Sequence, residues 1–169
     1  MKSQYTLKIY WISNMDLSLL KWTKNVRRDD GDWAYSQCKV YDLFKLAWKD
    51  NEEDARKPEK DDLILLRQRG YVTHLVRVMD YKPEREDWKG DYNIYRIVEV
   101  FWAIDFVNPP ESARADKIFD YSAVLRYEGG NMMKLQDLPT FKARWDKDGG
   151  LKAFQTHIFH SFLLLKDHF

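Results

Sequence analysis

Residues 63–79, LILLRQRGYVTHLVRVM, decide the fold that the sequence predicts. Two β-rich runs, at 63–66 and 72–79, lie on either side of Arg69, Gly70 and Tyr71. Two such runs joined by a short segment that contains glycine are typical of a β-hairpin. The stretch therefore predicts a mainly β domain with this hairpin near its middle.

Further elements are predicted on both sides of the hairpin. Alternating patterns predict strands at 6–13, 94–106 and 121–127, with a last short strand at 132–138. Helical spacing predicts a short helix capped by Asp16 that runs through 20–24, and helices at 40–48, after Pro139, and at 151–169. Five or six strands with these helices indicate a small, partly open β-barrel of the α+β class.

Size and composition limit the classes of protein that the chain fits. At 169 residues it fits one domain, 1–169, with a barrel core at about 6–141 and a C-terminal helix at about 151–168. The 28 basic and 27 acidic side chains nearly cancel, so a surface for nucleic acid must be local. The one cysteine, the lack of a signal-peptide pattern and the short apolar runs favour a cytoplasmic protein without a membrane partner.

The sequence carries few signs of catalysis. It has no glycine-rich phosphate loop and no GxSxG motif, and its carboxylates lie in mixed charge runs that are typical of solvated surfaces. We interpret Cys38 as a buried thiol and His74 as a structural residue. His157 and His160 lie one helical turn apart but lack a further ligand at a familiar metal-site spacing. These patterns indicate a binding domain that has neither a metal nor a cofactor.

Aromatic residues make up 15% of the chain, and several lie in polar segments. A site for a flat heteroaromatic group needs rigid ring walls and a few polar groups that contact the edge of its ligand. Because strand ends meet at one rim of a small barrel, we predict a pocket from three such segments. Its residues are Trp11, Ser13, Asn14, Trp33, Tyr35, Ser36, Gln37, Trp88 and Tyr92. Ordinary packing of these rings onto the barrel is the alternative.

Basic residues near these segments are candidates for contacts with phosphate groups. They are Lys21, Lys24, Arg27, Arg28, Arg67, Arg69 and Lys89. Contacts of this kind provide affinity, whereas the pocket provides discrimination. A solvated charged surface is the alternative where acidic residues interleave, as at Asp29 and Asp30.

The order of strand, Trp-bearing insertion, hairpin, Trp-bearing loop and long strand resembles the PUA-like superfamily, and within it the EVE and YTH domains. Residues 60–66, KDDLILL, are similar to the step that enters the family hairpin, with Asp61 at the usual glycine. Residues 86–92, EDWKGDY, resemble the YTH loop D-x-W-K-G-x-aromatic, although Pro83 lies near the place of a second tryptophan. Residues 32–36, DWAYS, resemble the family's Trp-bearing insertion, and 132–138 its last short strand.

The resemblance implies that Trp33 and Trp88 face each other across a flipped, methylated or otherwise modified base, whose polar edge Ser13, Asn14 and Ser36 or Gln37 contact. It also implies the non-catalytic DNA-specificity module of a modification-dependent restriction or defence system, with a nuclease or NTPase partner. A reader of modified RNA is the next interpretation. A protein–protein interaction domain that uses the Phe-rich C-terminal helix, and a small hydrolytic enzyme, are alternatives from other classes.

Overall fold

The computed structural model describes residues 15–87 and 90–165. Its strands are β1 (Leu20–Asn25), β2 (Leu43–Trp48), β3 (Leu63–Gln68), β4 (Tyr71–Val78), β5 (Glu84–Arg85), β6 (Ile94–Ala103) and β7 (Met132–Lys134). Its α-helices are α1 (Glu52–Arg56), α2 (Ala115–Phe119), α3 (Pro139–Trp145) and α4 (Leu151–Leu164). Short 3-10 turns lie at Leu17–Leu19, Glu111–Ala113, Ser122–Arg126, Leu135–Asp137 and Asp146–Asp148.

Six strands form one sheet in the order β2-β6-β4-β3-β1-β7, and β5 pairs with β6 beside this path. All pairs are antiparallel except β1 with β3, which are parallel. The sheet curls into a half-barrel that brings its edge strands β2 and β7 towards each other. Among the described residues no ladder pairs β2 with β7, so the half-barrel has an open side.

Two apolar cores lie on opposite faces of the sheet, and β3 contributes to both. Ile64 and Leu66 lie in the interior of the half-barrel, whereas Leu63 and Leu65 lie in the outer core. Successive side chains of a strand point to opposite faces, so a strand buried on both faces is apolar throughout. The interior core includes Trp22, Leu46, Trp48, Val76, Val98 and Met132, and the outer core includes Trp102, Phe119, Phe141, Phe154, Ile158 and Phe162.

The hairpin that the sequence predicts is confirmed as β3 and β4. Its two connecting residues, Arg69 and Gly70, both have positive φ, +53° and +80°. Two consecutive residues of this conformation make the turn whose twist matches that of the paired strands. The structure also confirms strands within 94–106 and 132–138 and helices after Pro139 and from Leu151, with the stripe Phe154, Ile158, Phe162 and Leu165 buried.

Three predictions of secondary structure were wrong. Segments 20–24 and 40–48, predicted as helices, are the strands β1 and β2, and segment 121–127, predicted as a strand, contains the 3-10 turn Ser122–Arg126. Local spacing misled in β2 because pairing with β6 overrides it and buries only Leu46 and Trp48 fully. The predicted strand 6–13 and the end of the C-terminal helix at 166–169 lie outside the described residues.

Within the described ranges, none of the helices has both the length and the apolar character that crossing a bilayer requires.

Candidate binding cavity

A cavity of about 920 Å³ lies at the open side of the half-barrel. Its lining comes from the end of β1 and the segment that follows it to Gln37, from the end of β2 and Asn51, from the loop that precedes β7, and from Tyr92. The lining residues are Lys24–Asp30, Ala34, Tyr35, Gln37, Ala47–Lys49, Asn51, Tyr92 and Gly129–Asn131. Ligand pockets in proteins span about 300–1,000 Å³, so the cavity has the size of a site for a small organic group.

The floor of the cavity pairs a buried lysine with an indole ring. Trp48 and Lys24 are 1% and 3% exposed, and the Lys24 Nζ lies 4.9 Å from the centroid of the Trp48 ring. The same ammonium donates a hydrogen bond to the carbonyl oxygen of Gly130. Burial lowers the pKa of Lys24 to about 8, against the opposing effect of the Asp54 carboxylate, and nearby Arg67 lowers it further. The floor is therefore cationic at neutral pH, although burial of the ammonium costs it the hydration that it has in water.

Asp54 connects the two edge strands beside this floor. Its Oδ2 accepts hydrogen bonds from the Trp48 Nε1 at 2.8 Å and from the backbone N–H of Met132 at 2.7 Å. Asn51 caps α1 by accepting from the backbone N–H of Asp54 at 3.0 Å, which positions the carboxylate. One side chain thus joins β2 to β7 where no strand pairing does.

Tyr35 forms a rigid wall of the cavity. Its ring stacks on Phe44 with centroids 4.3 Å apart, and its hydroxyl accepts a hydrogen bond from the backbone N–H of Ala47 at 3.0 Å. Burial raises the pKa of Tyr35 to about 12. The backbone oxygen of Tyr35 lies 3.1 Å from the Nε2 of His74, and burial lowers the pKa of His74 to about 4. A neutral His74 therefore donates to this oxygen, which confirms its structural role.

The rim of the cavity is polar and mainly basic. The Nε of Arg27 donates to the hydroxyl of Tyr92 at 3.2 Å, which connects the segment after β1 to the loop before β6. Arg28 forms an ion pair with Asp30 at 2.5 Å, and Lys49 forms one with Asp91 at 3.2 Å. Both are exposed pairs, which hold little energy and leave these cations available to other anions.

A second cavity of about 460 Å³ shares the segment Asn25–Asp29 with the first and continues to Gln68 and Arg69. Gln68 orders its edge, because its side chain accepts from the backbone N–H of Ala34 at 2.8 Å and donates to the oxygen of Asp32 at 2.9 Å. Three arginines, Arg27, Arg28 and Arg69, line this smaller cavity together with one acid, Asp29. They form a basic track that leads to the larger cavity.

The larger cavity brings together six residues that the sequence predicts for the site, Lys24, Arg27, Arg28, Tyr35, Gln37 and Tyr92. Trp33 lines neither cavity. It packs edge-on against Phe106 at 5.6 Å, and the guanidinium of Arg69 lies 4.6 Å from its ring centroid. Ser36 is exposed and lines neither cavity. Trp11, Ser13, Asn14, Trp88 and Lys89 lie outside the described residues.

Two of the predicted phosphate contacts lie away from the cavities. Lys21 forms an ion pair with Asp62 at 3.4 Å. Arg67 is 3% exposed, and its Nε donates to the hydroxyl of Thr23 at 2.8 Å. A guanidinium held inside the sheet in this way is not presented to a nucleic-acid backbone, so we assign Arg67 to the fold.

Sequence reasoning missed Trp48, Asp54 and the loop Gly129–Asn131. Trp48 was assigned to a helical stripe, and Asp54 to a solvated charge run. A usable signal exists for Asp54, because Asn51 followed by Glu52, Glu53 and Asp54 is a helix start. No local signal shows that the carboxylate turns inward to meet β7.

The described residues hold no cluster of candidate metal ligands. Among residues 15–87 and 90–165, no three His, Cys, Asp or Glu side chains converge as metal ligands would. The Nε2 of His157 lies 2.9 Å from the backbone oxygen of Ile118, and burial raises the pKa of the Cys38 thiol. These contacts and this burial therefore assign His157 and Cys38 to the packing of the fold.

The chain matches no family model, and neither a curated protein nor a solved structure is significantly similar to it. The functional interpretation therefore depends on the geometry of the two cavities and on the resemblance in short motifs.

Proposed function

We propose that the chain is a non-catalytic nucleic-acid-binding module that holds one modified, flipped base in the larger cavity. The proposal includes a fold assignment, namely that the half-barrel belongs to the PUA-like superfamily and is of the EVE/YTH type. One observation carries it: a cavity of about 920 Å³ that combines aromatic walls with a basic rim and opens onto an arginine-lined track. In place of Trp33, Tyr35 and Tyr92 form the aromatic walls in this proposal, and Trp48 lies beneath Lys24 in the floor.

Stacking supplies the first energetic argument. Removing a base from its stack costs a few kcal/mol, and stacking on protein aromatics contributes about 1–3 kcal/mol per base. Tyr35 is held by its contacts with Phe44 and Ala47, so its ring is preorganised and loses little entropy on binding. Stacking on the rings of Tyr35 and Tyr92 would offset the cost of flipping. The cost of flipping is lowest for a mismatched, damaged or already single-stranded base.

Charge supplies the second argument. The larger cavity is lined by four basic side chains, Lys24, Arg27, Arg28 and Lys49, against two acidic ones, Asp29 and Asp30. The basic track adds Arg69. An excess of cations beside a cavity that is large enough to admit a base suits a ligand that carries phosphates on both sides of the inserted group. The chain as a whole is nearly neutral, so this excess is a local feature.

The biological setting in the proposal comes from the motif resemblance. Domains of this type serve as specificity modules in modification-dependent restriction or defence systems, where they are joined to a nuclease or NTPase partner. Modified DNA is the favoured ligand, and modified RNA is the alternative. Oligonucleotides that differ only in their sugar distinguish the two.

The test is a titration of oligonucleotides that carry one modified or unmodified base, as DNA and as RNA, with Kd measured at several salt concentrations. Tyr92→Ala should reduce the preference for the modified base by about fivefold or more, because a stacked ring contributes about 1–3 kcal/mol. Arg27→Ala should weaken all oligonucleotides similarly and lower the salt slope by about one. Trp88→Ala tests the wall that the sequence motif predicts.

Lys142→Ala is the matched control, because Lys142 is an exposed cation on α3 that lines neither cavity. It should leave affinity and salt slope unchanged. The proposal is wrong if the wild-type chain binds no oligonucleotide at low salt. It is equally wrong if Tyr92→Ala keeps the full preference.

A further inference from the structure

The Lys24 ammonium lies at the floor of the larger cavity with its hydrogen-bonding capacity incompletely used. An ammonium has three N–H donors. Among the described residues, the backbone oxygen of Gly130 is its hydrogen-bond acceptor, and the face of Trp48 is its second contact. A hydrogen bond to a charged donor is stronger than one to a neutral donor, so an acceptor that enters the cavity would gain from the remaining N–H groups.

The charges around Lys24 add up to a positive floor. Asp54 approaches it from α1 and Arg67 from β3, so two cations share one anion. Gly130 leaves little spare room on the loop side, because a Cβ at that position would lie 3.4 Å from the Lys24 Nζ. A ligand group that reaches the floor therefore meets a net positive, poorly solvated environment.

We infer that Lys24 determines which modified bases the cavity accepts: uncharged bases that turn a ring nitrogen or carbonyl oxygen towards its ammonium. Bases that methylation converts into cations are excluded, because they bring a second positive charge and lack an acceptor on the methylated ring nitrogen. This inference rests on the proposed function and adds a chemical class to it. Two like charges within a few ångströms in a partly desolvated site repel strongly enough for a discrimination of at least about tenfold.

Isomeric methylated bases test the inference without a change of size. N6-methyladenine is neutral and keeps its N1 acceptor, whereas N1-methyladenine is cationic and has lost it. The isomers 5-methylcytosine and N3-methylcytosine form a second pair with the same contrast. At pH 6.5, single-stranded oligonucleotides with the neutral isomer should bind at least about tenfold more tightly than those with the cationic isomer.

Variants at Lys24 locate the source of this discrimination. Lys24→Met removes the charge from a chain of similar length and should bring the two isomers to within about threefold of each other. Lys24→Arg keeps the charge and should keep the discrimination. Thermal melting checks that each variant folds. The wild-type isomer comparison needs no variant and keeps the inference testable if Lys24→Met does not fold.

The pH dependence gives an independent check in the wild-type chain. Burial lowers the pKa of Lys24 to about 8, so the ammonium is lost as the pH rises through that value. Affinity for the N6-methyladenine oligonucleotide should then fall, since a neutral amine donates a weaker hydrogen bond. Lys24→Met should show no such step.

The outcomes separate this inference from the proposed function. Loss of all oligonucleotide binding contradicts the proposed function, and the inference falls with it. Binding of the neutral and cationic isomers with equal affinity overturns the inference alone, as does a Lys24→Met variant that still discriminates.

Discussion

Replacing Asp54 should open the half-barrel at the side where the cavity lies. Asp54 is 2% exposed, and a single oxygen, Oδ2, accepts from the Trp48 Nε1 and from the backbone N–H of Met132. Asp54→Ala leaves both donors buried without an acceptor. Each orphaned donor costs about 1–3 kcal/mol, so the free energy of unfolding should fall by about 2–6 kcal/mol. The ion pair with Lys57 adds little, since the Lys57 side chain is half exposed.

Asp54→Asn separates the loss of the hydrogen bonds from the loss of charge. The amide oxygen of asparagine fits the place of Oδ2 and accepts from the same two donors. A neutral acceptor is about half as strong as an ionised one, so this variant should lose only about 1–2 kcal/mol. It also removes the anion that raises the pKa of Lys24, so that pKa should fall below about 8.

Equilibrium unfolding in urea, followed by tryptophan fluorescence, measures these differences. Asp137→Ala is the control, because Asp137 is an exposed carboxylate in the turn Leu135–Asp137, and its variant should stay within about 0.5 kcal/mol of the wild type. A free energy of unfolding of Asp54→Ala within about 1 kcal/mol of the wild-type value, twice the range expected for the control, refutes this account of Asp54. An Asp54→Asn variant less stable than Asp54→Ala would refute it as well.

Three further predictions concern His74, Trp33 and Lys24. Burial lowers the pKa of His74 from 6.5 to about 4, so protonation of His74 favours the unfolded chain. The free energy of unfolding should therefore fall by up to about 3 kcal/mol as the pH drops from 6.5 to 4, and urea titrations of His74→Gln should lack this loss. Trp33→Ala removes the contacts with Arg69 and Phe106 and should lower the free energy of unfolding by about 1–3 kcal/mol. The preference for modified oligonucleotides should stay within twofold (about 0.4 kcal/mol) of the wild type, and its loss would show that Trp33 belongs to the pocket. Burial lowers the pKa of Lys24 from 10.5 to about 8, so below pH 8 its buried charge fully destabilises the fold. In urea at pH 7 the free energy of unfolding of Lys24→Met should therefore exceed that of the wild type by up to about 3 kcal/mol, and a lower value would contradict this.

The hairpin and the C-terminal helix could be predicted because their signals are local. Two β-rich runs around Arg69 and Gly70 specify a turn, and the stripe from Phe154 to Leu165 specifies a buried helix face. The strand β2 could not be predicted in this way. Its apolar residues have helical spacing, and only pairing with β6, which lies about fifty residues later in the chain, selects the extended conformation.

The candidate site was predicted in part, for a related reason. Tyr35, Gln37, Tyr92 and the cations after β1 stand out as aromatic and basic residues in polar segments, and the structure brings them to one cavity. The floor of the cavity could not be predicted because it is formed by contacts between residues that are distant in the sequence. Trp48 meets Lys24 and Asp54 meets Met132 only once the sheet has curled.

The position of the cavity follows from the way in which the half-barrel ends. Pairing of β2 with β7 would close a barrel of only six strands, whose narrow interior would be filled by side chains. Here the carboxylate of Asp54 holds the edges together at one level by two hydrogen bonds, and beyond that level the edges diverge around a cavity. The buried ammonium of Lys24 lies at this point of divergence, where it lowers stability and has no structural need for three donors. In the proposed function, an acceptor on the ligand would offset the desolvation cost of this charge, whereas an uncharged side chain at this position would pack on Trp48 at lower cost.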